Sequence, residues 1–250
     1  MSFSTATDVY TRQSTKNGVF PRRNQQAQLP CALVPSRDVF QTIHMTVDNP
    51  APEGTGPAMY MLWPLSRPLP AIPAIPTAYS LSILVSEDID NARTLVEIDG
   101  RLSDPGWSQF RDAVVPDGMF VIQERASSSW VGTISAVHNP SATRFYFPGG
   151  GELGYLTVAP EHRRRGLGAA LITAALRRLH LGGYRHIFLG VQSWRLPAIR
   201  AYLRVGFQPF IHAPELVPRW ESVFAALGEA SHKSEWPTRL IGPPAPIDLL

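Results

Sequence analysis

Three arginines followed by two closely spaced glycines, Arg163-Arg164-Arg165-Gly166-Leu167-Gly168, carry the densest chemical signal in the chain. They come just after an apolar stretch that ends in Val158-Ala159-Pro160, and just before a run in which Leu167, Leu171, Ala175 and Leu179 recur every fourth residue. The spacing therefore predicts a strand, a basic loop and a helix. The first turn of a helix leaves N–H groups unpaired and carries partial positive charge. Glycines there omit the Cβ atoms that would hold a phosphate away, and the guanidinium groups supply full charge. Such a loop suits a pyrophosphate. The plain alternative is a basic connection that binds nothing. A dinucleotide fingerprint would begin with Gly-x-Gly, which is absent here.

The elements that must position this loop can be read outward from it. Upstream, Gly149-Gly150-Gly151 opens a strand over 152–158, preceded by a predicted hairpin of 119–124 and 130–137. Pro116-Asp117-Gly118 predicts a turn before that hairpin. Earlier still, Tyr79, Leu81, Ile83 and Val85 alternate with polar residues as in a strand. Ser86 with Glu87 and Asp88 predicts a helix start, Gly100 its end, and a second short helix covers 107–114. Downstream, Gly182-Gly183 ends the helix, 187–191 is a short strand, and Pro197 opens a helix that Gly206 closes. A strand over 207–211 and a helix over 215–230 complete the order. The fold class is α/β (α+β): a mixed central sheet covered by helices on both faces.

Four segments are expected. Residues 1–36 lack periodicity and read as a flexible tail, with a transit peptide the alternative; 37–78 is a proline-rich extension packed on the core. Residues 79–232 form the regular domain, and 233–250 a proline-rich tail. A hydrophobic fraction of 44% sustains a core without metals or disulfides. The single cysteine, Cys31, forms no internal disulfide and fits a reducing, cytoplasmic setting. No apolar run of about 18 residues predicts a membrane span. Net charge is +3, yet nine arginines between Tyr155 and Arg204 face one acid, Glu161. That cluster suits a polyanion, either a phosphorylated cofactor or nucleic acid. Nucleic acid is disfavoured because interleaved stacking aromatics are missing. His138, His180, His186 and His212 show no metal-ligand spacing, so no metal is expected.

Arg163, Gly166 and Gly168, with Val158 and Pro160 ahead of them, resemble the cofactor motif of the GNAT superfamily of acyl-CoA-dependent N-acetyltransferases. The stretch from Pro197 to Phe207 is similar to that superfamily's second conserved region, and the resemblance covers about residues 79–212. Arg195 stands where the superfamily often has Asn, which leaves the role of that loop open. The resemblance implies that acetyl-CoA is the cosubstrate. It implies that Leu156, Thr157 and Val158 meet its thioester and pantetheine arm, while Arg163, Arg164, Arg165, Gly166, Leu167, Gly168 and Ala169 hold the pyrophosphate.

Tyr202 matches a tyrosine that many members use as general acid toward the leaving thiolate; packing on the sheet is its alternative role. Glu152 is the general-base candidate, expected on one strand face with Leu156 and Val158 by period two, against the alternative of a solvent-facing edge residue. Trp107, Trp130 and Trp194 are candidates for the acceptor cleft or for core, and Glu97 and Asp99 for a cationic acceptor. The expected reaction is direct acetyl transfer to a primary amine, with a small molecule favoured over a protein and a monomer or homodimer as the assembly. A non-catalytic acyl-CoA sensor or scaffold is the alternative.

Overall fold

The computed structural model describes residues 58–85, 88–89, 92–97, 104–138, 146–231 and 233–238. One seven-stranded mixed sheet organises them. The strands are β1 (Met59–Leu62), β2 (Tyr79–Ile83), β3 (Val114–Glu124), β4 (Trp130–His138), β5 (Gly151–Val158), β6 (Ile187–Val191) and β7 (Gln208–Phe210). The helices are α1 (Arg93–Glu97), α2 (Asp104–Ala113), α3 (Leu167–Leu181), α4 (Leu196–Val205) and α5 (Leu216–Leu227). The spatial order is β2-β3-β4-β5-β6-β1-β7. Among the named strands every pairing is antiparallel except β5 with β6, a parallel pair bridged by α3.

From Tyr79 to Phe210 the order of strands and helices matches the sequence reading, and helices cover both faces. Phe120, Ile122, Ile134, Ala136 and Leu153 pack against α3, whose Leu167, Leu171, Ala175 and Leu179 are fully buried. The α4 residues Ile199 and Tyr202 and the α5 residue Trp220 extend this layer. On the opposite face Met119, Val121, Val137 and Tyr155 pack with Val96 of α1 and Trp107 and Phe110 of α2. The strands β3 and β4 are therefore covered on both sides, which explains why β4 is buried along nearly its whole length, Thr133 and Ser135 included. Gly206 ends α4 at φ 117°, and a Cβ there would meet Arg67 Cδ at 2.8 Å and Trp63 at 3.0 Å. Only glycine meets both demands.

Three local expectations change. Pro116-Asp117-Gly118 is not a turn before the hairpin but lies within β3, where the pairing jumps from Val114–Val137 to Met119–Ser135 and Asp117 takes φ 55°. The turn chemistry makes a bulge that bends one strand without ending it. The sheet also begins twenty residues before Tyr79. Met59–Leu62 pairs with β6 on one side and β7 on the other, and Met59, Met61 and Trp63 are buried. Four residues among prolines give too short a pattern to mark a strand; two neighbouring strands supply the hydrogen bonds that make it one. At the far end, Trp236 is buried and stacks on Phe224 at 5.4 Å, and Ile211 N–H donates to the Pro237 carbonyl. The chain thus stays on the core through residue 238.

Candidate active site

The strand β5 holds the key irregularity. It pairs with β6 only at Gly151–Ile187 and Glu152–Phe188, although both strands run on beyond. Past Glu152 the two parallel strands part, and the β6-side edge of β5 from Leu153 to Val158 pairs with no strand among the described residues. Ala159 N–H donates to the Val131 carbonyl at 2.8 Å, so Thr157 and Ala159 turn their main chains to β4. By alternation the main-chain groups of Val158 and Leu156 turn toward the opening. The Val158 carbonyl takes one bond there, from Arg163 Nε at 2.8 Å.

The chain then runs through a short 3₁₀ turn, Pro160–His162, into the arginine loop. Arg164 adopts φ 61° and Gly166 φ 81°, a pair of left-handed steps that turn the chain into α3. The N-terminus of α3 receives no side-chain cap and no acid sits in its first turn. A Cβ built at Gly166 or Gly168 would meet nothing within 4 Å. Leu167 is buried and anchors the turn, while Gly168 and Ala169 are partly open. Uncapped donors, bare space above the glycines and exposed arginines at 163–165 fit a diphosphate.

A network behind the loop holds Arg165. Its guanidinium donates to the Tyr79 hydroxyl at 2.6 Å and to the Glu161 carbonyl at 3.0 Å, and lies 5.9 Å above the Tyr79 ring. Tyr79 Oη is also 2.9 Å from His162 Nδ1, which stands 3.8 Å from Glu124. The sequence reading saw Tyr79 only as a strand residue. The remaining arginines do not all join the loop. Arg177 donates to the Pro70 carbonyl, Arg178 to Pro116 and Arg200 to Leu227, with Glu229 at 3.3 Å from Arg200. Of the nine arginines, three thus sit in the loop, while Arg177, Arg178 and Arg200 tie segments together.

Glu152 does not share a face with Leu156 and Val158. The β4–β5 register slips by one residue between Thr133–Thr157 and Ser135–Gly154, and Tyr155 in the slip has φ 58°. One extra residue inverts the alternation. Glu152, opposite Val137, therefore falls on the α1/α2 face, as does Thr157, opposite Thr133. Thr157 Oγ1 is buried there without a hydrogen-bond partner among the described residues. Leu156 and Val158 pack with Tyr202 on the α3/α4 face. The two residues considered for catalysis thus lie on opposite faces of the sheet.

Of the other candidates, Trp107 is core, Trp130 is partly buried, and Trp194 is 47% exposed with the Arg195 guanidinium 4.7 Å over its ring. His138 meets Tyr184 at 3.2 Å and His186 meets the Pro148 carbonyl at 3.1 Å. His180 lies in the last turn of α3. His212 is buried against Tyr146. The side chain of Glu97, and all of Asp99, lie outside the described residues. Among the described residues no three His, Cys, Asp or Glu side chains gather as metal ligands, and no helix is long and apolar enough to cross a membrane. Tyr60 and Gly190, beside Glu152, were missed. A lone glycine inside the apolar run Ile187–Val191 was the signal for the last.

A mixed sheet whose parallel neighbours part beside an uncapped, glycine-bearing helix start defines an acyl-CoA-transferase type of fold. Residues 87–207 match the acetyltransferase (GNAT) family, and the chain belongs to the GNAT superfamily through this domain. Mycothiol acetyltransferase of Corynebacterium aurimucosum is 40% identical over 60 residues, 24% of this chain and 20% of that protein. The enzyme of the same name from Amycolatopsis mediterranei is 35% identical over 94 residues, 36% of this chain and 30% of its own length. The chain thus spans a third or less of these curated relatives. A GCN5-related N-acetyltransferase structure from Sphaerobacter thermophilus superposes with a TM-score of 0.50 at 22% identity, covering 62% of this chain and 49% of that one, a likeness of fold.

Proposed function

We propose that the protein is an N-acetyltransferase that moves the acetyl group of acetyl-CoA directly to a primary amine of a small molecule. The observation that carries this reading is the adjacency of two openings. The uncapped start of α3, bare above Gly168, stands at the end of the same β5 whose free edge faces the gap left by β6. One extended ligand with a diphosphate at one end and amide groups along its arm fits both. The similarity to enzymes named mycothiol acetyltransferases supports a small-molecule acceptor.

Acetyl-CoA supplies an activated acyl carbon: the amine nitrogen bonds to it as the C–S bond breaks, and the original ammonium loses two protons, one reaching the thiolate and one the solvent. The chain's residues divide that proton traffic. Glu152, on the α1/α2 face, takes the proton that frees the amine lone pair. A main-chain N–H on the open edge of β5, at Leu156 or Val158, faces the charge that develops on the carbonyl oxygen. Tyr202, on the other face, donates to the departing sulfur. The first turn of α3 with Arg163 to Arg165 fixes the diphosphate and so the reach of the arm. No covalent acetyl-enzyme is required.

The test is CoA release from acetyl-CoA with a panel of primary amines, run beside thermal shift with acetyl-CoA alone. Stabilisation by acetyl-CoA together with amine-dependent release of free thiol is the expected outcome. Stabilisation with no release for any amine would leave a binding protein in place of an enzyme.

A further inference from the structure

Tyr79 comes from β2, the outermost strand of the sheet, and lies upstream of the residues that match the family. Its ring is part of the main core, with 3% of the residue exposed. Its hydroxyl nevertheless reaches the arginine loop. Acetyl transfer itself requires no hydroxyl at that place, and a phenylalanine would fill the core as well. The hydroxyl therefore needs a reason of its own.

The hydrogen bonds through it run in one direction. A guanidinium can only donate. Arg165 Nη1 gives its hydrogen to Tyr79 Oη at 2.6 Å, so the Tyr79 hydrogen goes on to His162 Nδ1 at 2.9 Å. His162 Nδ1 is then the acceptor, and the ring hydrogen sits on Nε2. The two rings stand edge to face, 5.7 Å apart at 90°. Behind them Glu124 lies opposite Tyr79 in the β2–β3 register, with one carboxylate oxygen 3.8 Å from His162 and the other accepting from Ser127 at 2.7 Å. A cation at the head of such a chain makes its first bond a strong one.

Arg165 is thus held twice, by Tyr79 and, through Nη2, by the Glu161 carbonyl at 3.0 Å. Its remaining N–H groups belong to an exposed residue immediately before Gly166, the residue from which α3 starts. A mobile arginine loses rotamer freedom when it grips an anion, and one already held loses less. We propose that Tyr79, with His162 behind it, is a positioning residue that holds Arg165 in place for the diphosphate of CoA, so that a residue of the outermost strand sets the affinity for the cosubstrate. The inference rests on the acetyl-CoA reading for the identity of the anion, but its test is one of binding.

CoA is titrated calorimetrically into the full chain, into Tyr79→Phe, into Arg165→Gln and into the double variant. Tyr79→Phe keeps the buried ring and loses only the hydroxyl. It should weaken CoA by about fivefold, and Arg165→Gln by at least as much. In the Arg165→Gln background the Tyr79 change should alter affinity by no more than about twofold. A packing role would weaken CoA by the same factor with or without Arg165. Turnover supplies a second readout: KM for acetyl-CoA should rise by about fivefold in Tyr79→Phe, with kcat within about twofold of the parent protein. Parent-like CoA affinity in Tyr79→Phe overturns the proposal, as does an equal loss in both backgrounds. Should Tyr79→Phe fail to fold, His162→Leu, which removes the acceptor of the Tyr79 hydrogen, decides by the same criterion. Coupling in the binding cycle without acetyl transfer to any amine upholds the positioning role and removes the catalytic reading. Acetyl transfer without coupling does the reverse.

Discussion

Glu152 and Tyr202 stand on opposite faces of the sheet because one extra residue at Tyr155 inverts the alternation of β5. That separation matters chemically, since a base beside the amine and an acid beside the sulfur must not neutralise each other. If Glu152 accepts the amine proton, Glu152→Gln lowers kcat by about 10²–10⁴-fold and removes the rising limb of kcat/KM against pH. A pH–rate profile that keeps its rising limb would exclude it as the base. Tyr60 offers a second check on the same corner. Its phenol titrates near 12 when folded against an ordinary 10.0, so the folded state keeps a proton that the unfolded state loses between those values. The associated stability is whole below the unfolded value and is lost as pH rises through the folded one. Urea unfolding at pH about 9 and about 11.5 should show a fall in stability that Tyr60→Phe makes smaller.

In the proposed reaction the start of α3 is the element on which cofactor binding turns. Gly166 and Gly168 both face open space, but only Gly166 has a left-handed backbone, at φ 81°. Their substitutions should therefore separate. Gly166→Ala strains the loop and costs about 1–2 kcal/mol of stability. Gly168→Val leaves the melting temperature within a few degrees, yet projects methyl groups where the diphosphate would lie, and weakens acetyl-CoA by at least about tenfold. Unchanged acetyl-CoA affinity in Gly168→Val would place the diphosphate elsewhere. The network of Arg165, Tyr79 and His162 keeps one arginine aligned while Arg163 is held by the Val158 carbonyl. An isolated loop would keep only the Glu161 carbonyl, because Tyr79 comes from β2 and the Val158 carbonyl from the end of β5.

At the scale of the whole molecule, the family match at residues 87–207 is smaller than the folded unit. The strand β1 comes from upstream and fills the place between β6 and β7, and β2 closes the far edge. Met61, Trp63, Phe207 and Trp220 share one buried layer with α3. A fragment of 87–207 would therefore expose the β6 edge and much of the face beneath α3 and α5. It is expected to show no cooperative thermal transition by circular dichroism, whereas the full chain does. A sharp transition in the fragment would show that β1 and α5 are dispensable.

Hydrophobic period, glycine and proline positions and the basic loop made the order of elements from Tyr79 to Phe210 legible, because those signals are local. The cradle at Arg163 to Gly168 was legible for the same reason: a helix start and its glycines lie within six residues. Three features depended on distant partners and were not. The strand at Met59–Leu62 exists because β6 and β7 flank it. The face of Glu152 turned on a single bulge, and strict alternation by two could not foresee it. The bare position at Gly190, between Tyr60 and Glu152, brings together residues from three strands that are distant along the chain. The sequence by itself thus determined the basic, glycine-bearing helix start at which the diphosphate of acyl-CoA is proposed to sit, since one loop makes it. Only the tertiary structure decided what surrounds Glu152, since that surface is assembled from strands that are distant along the chain.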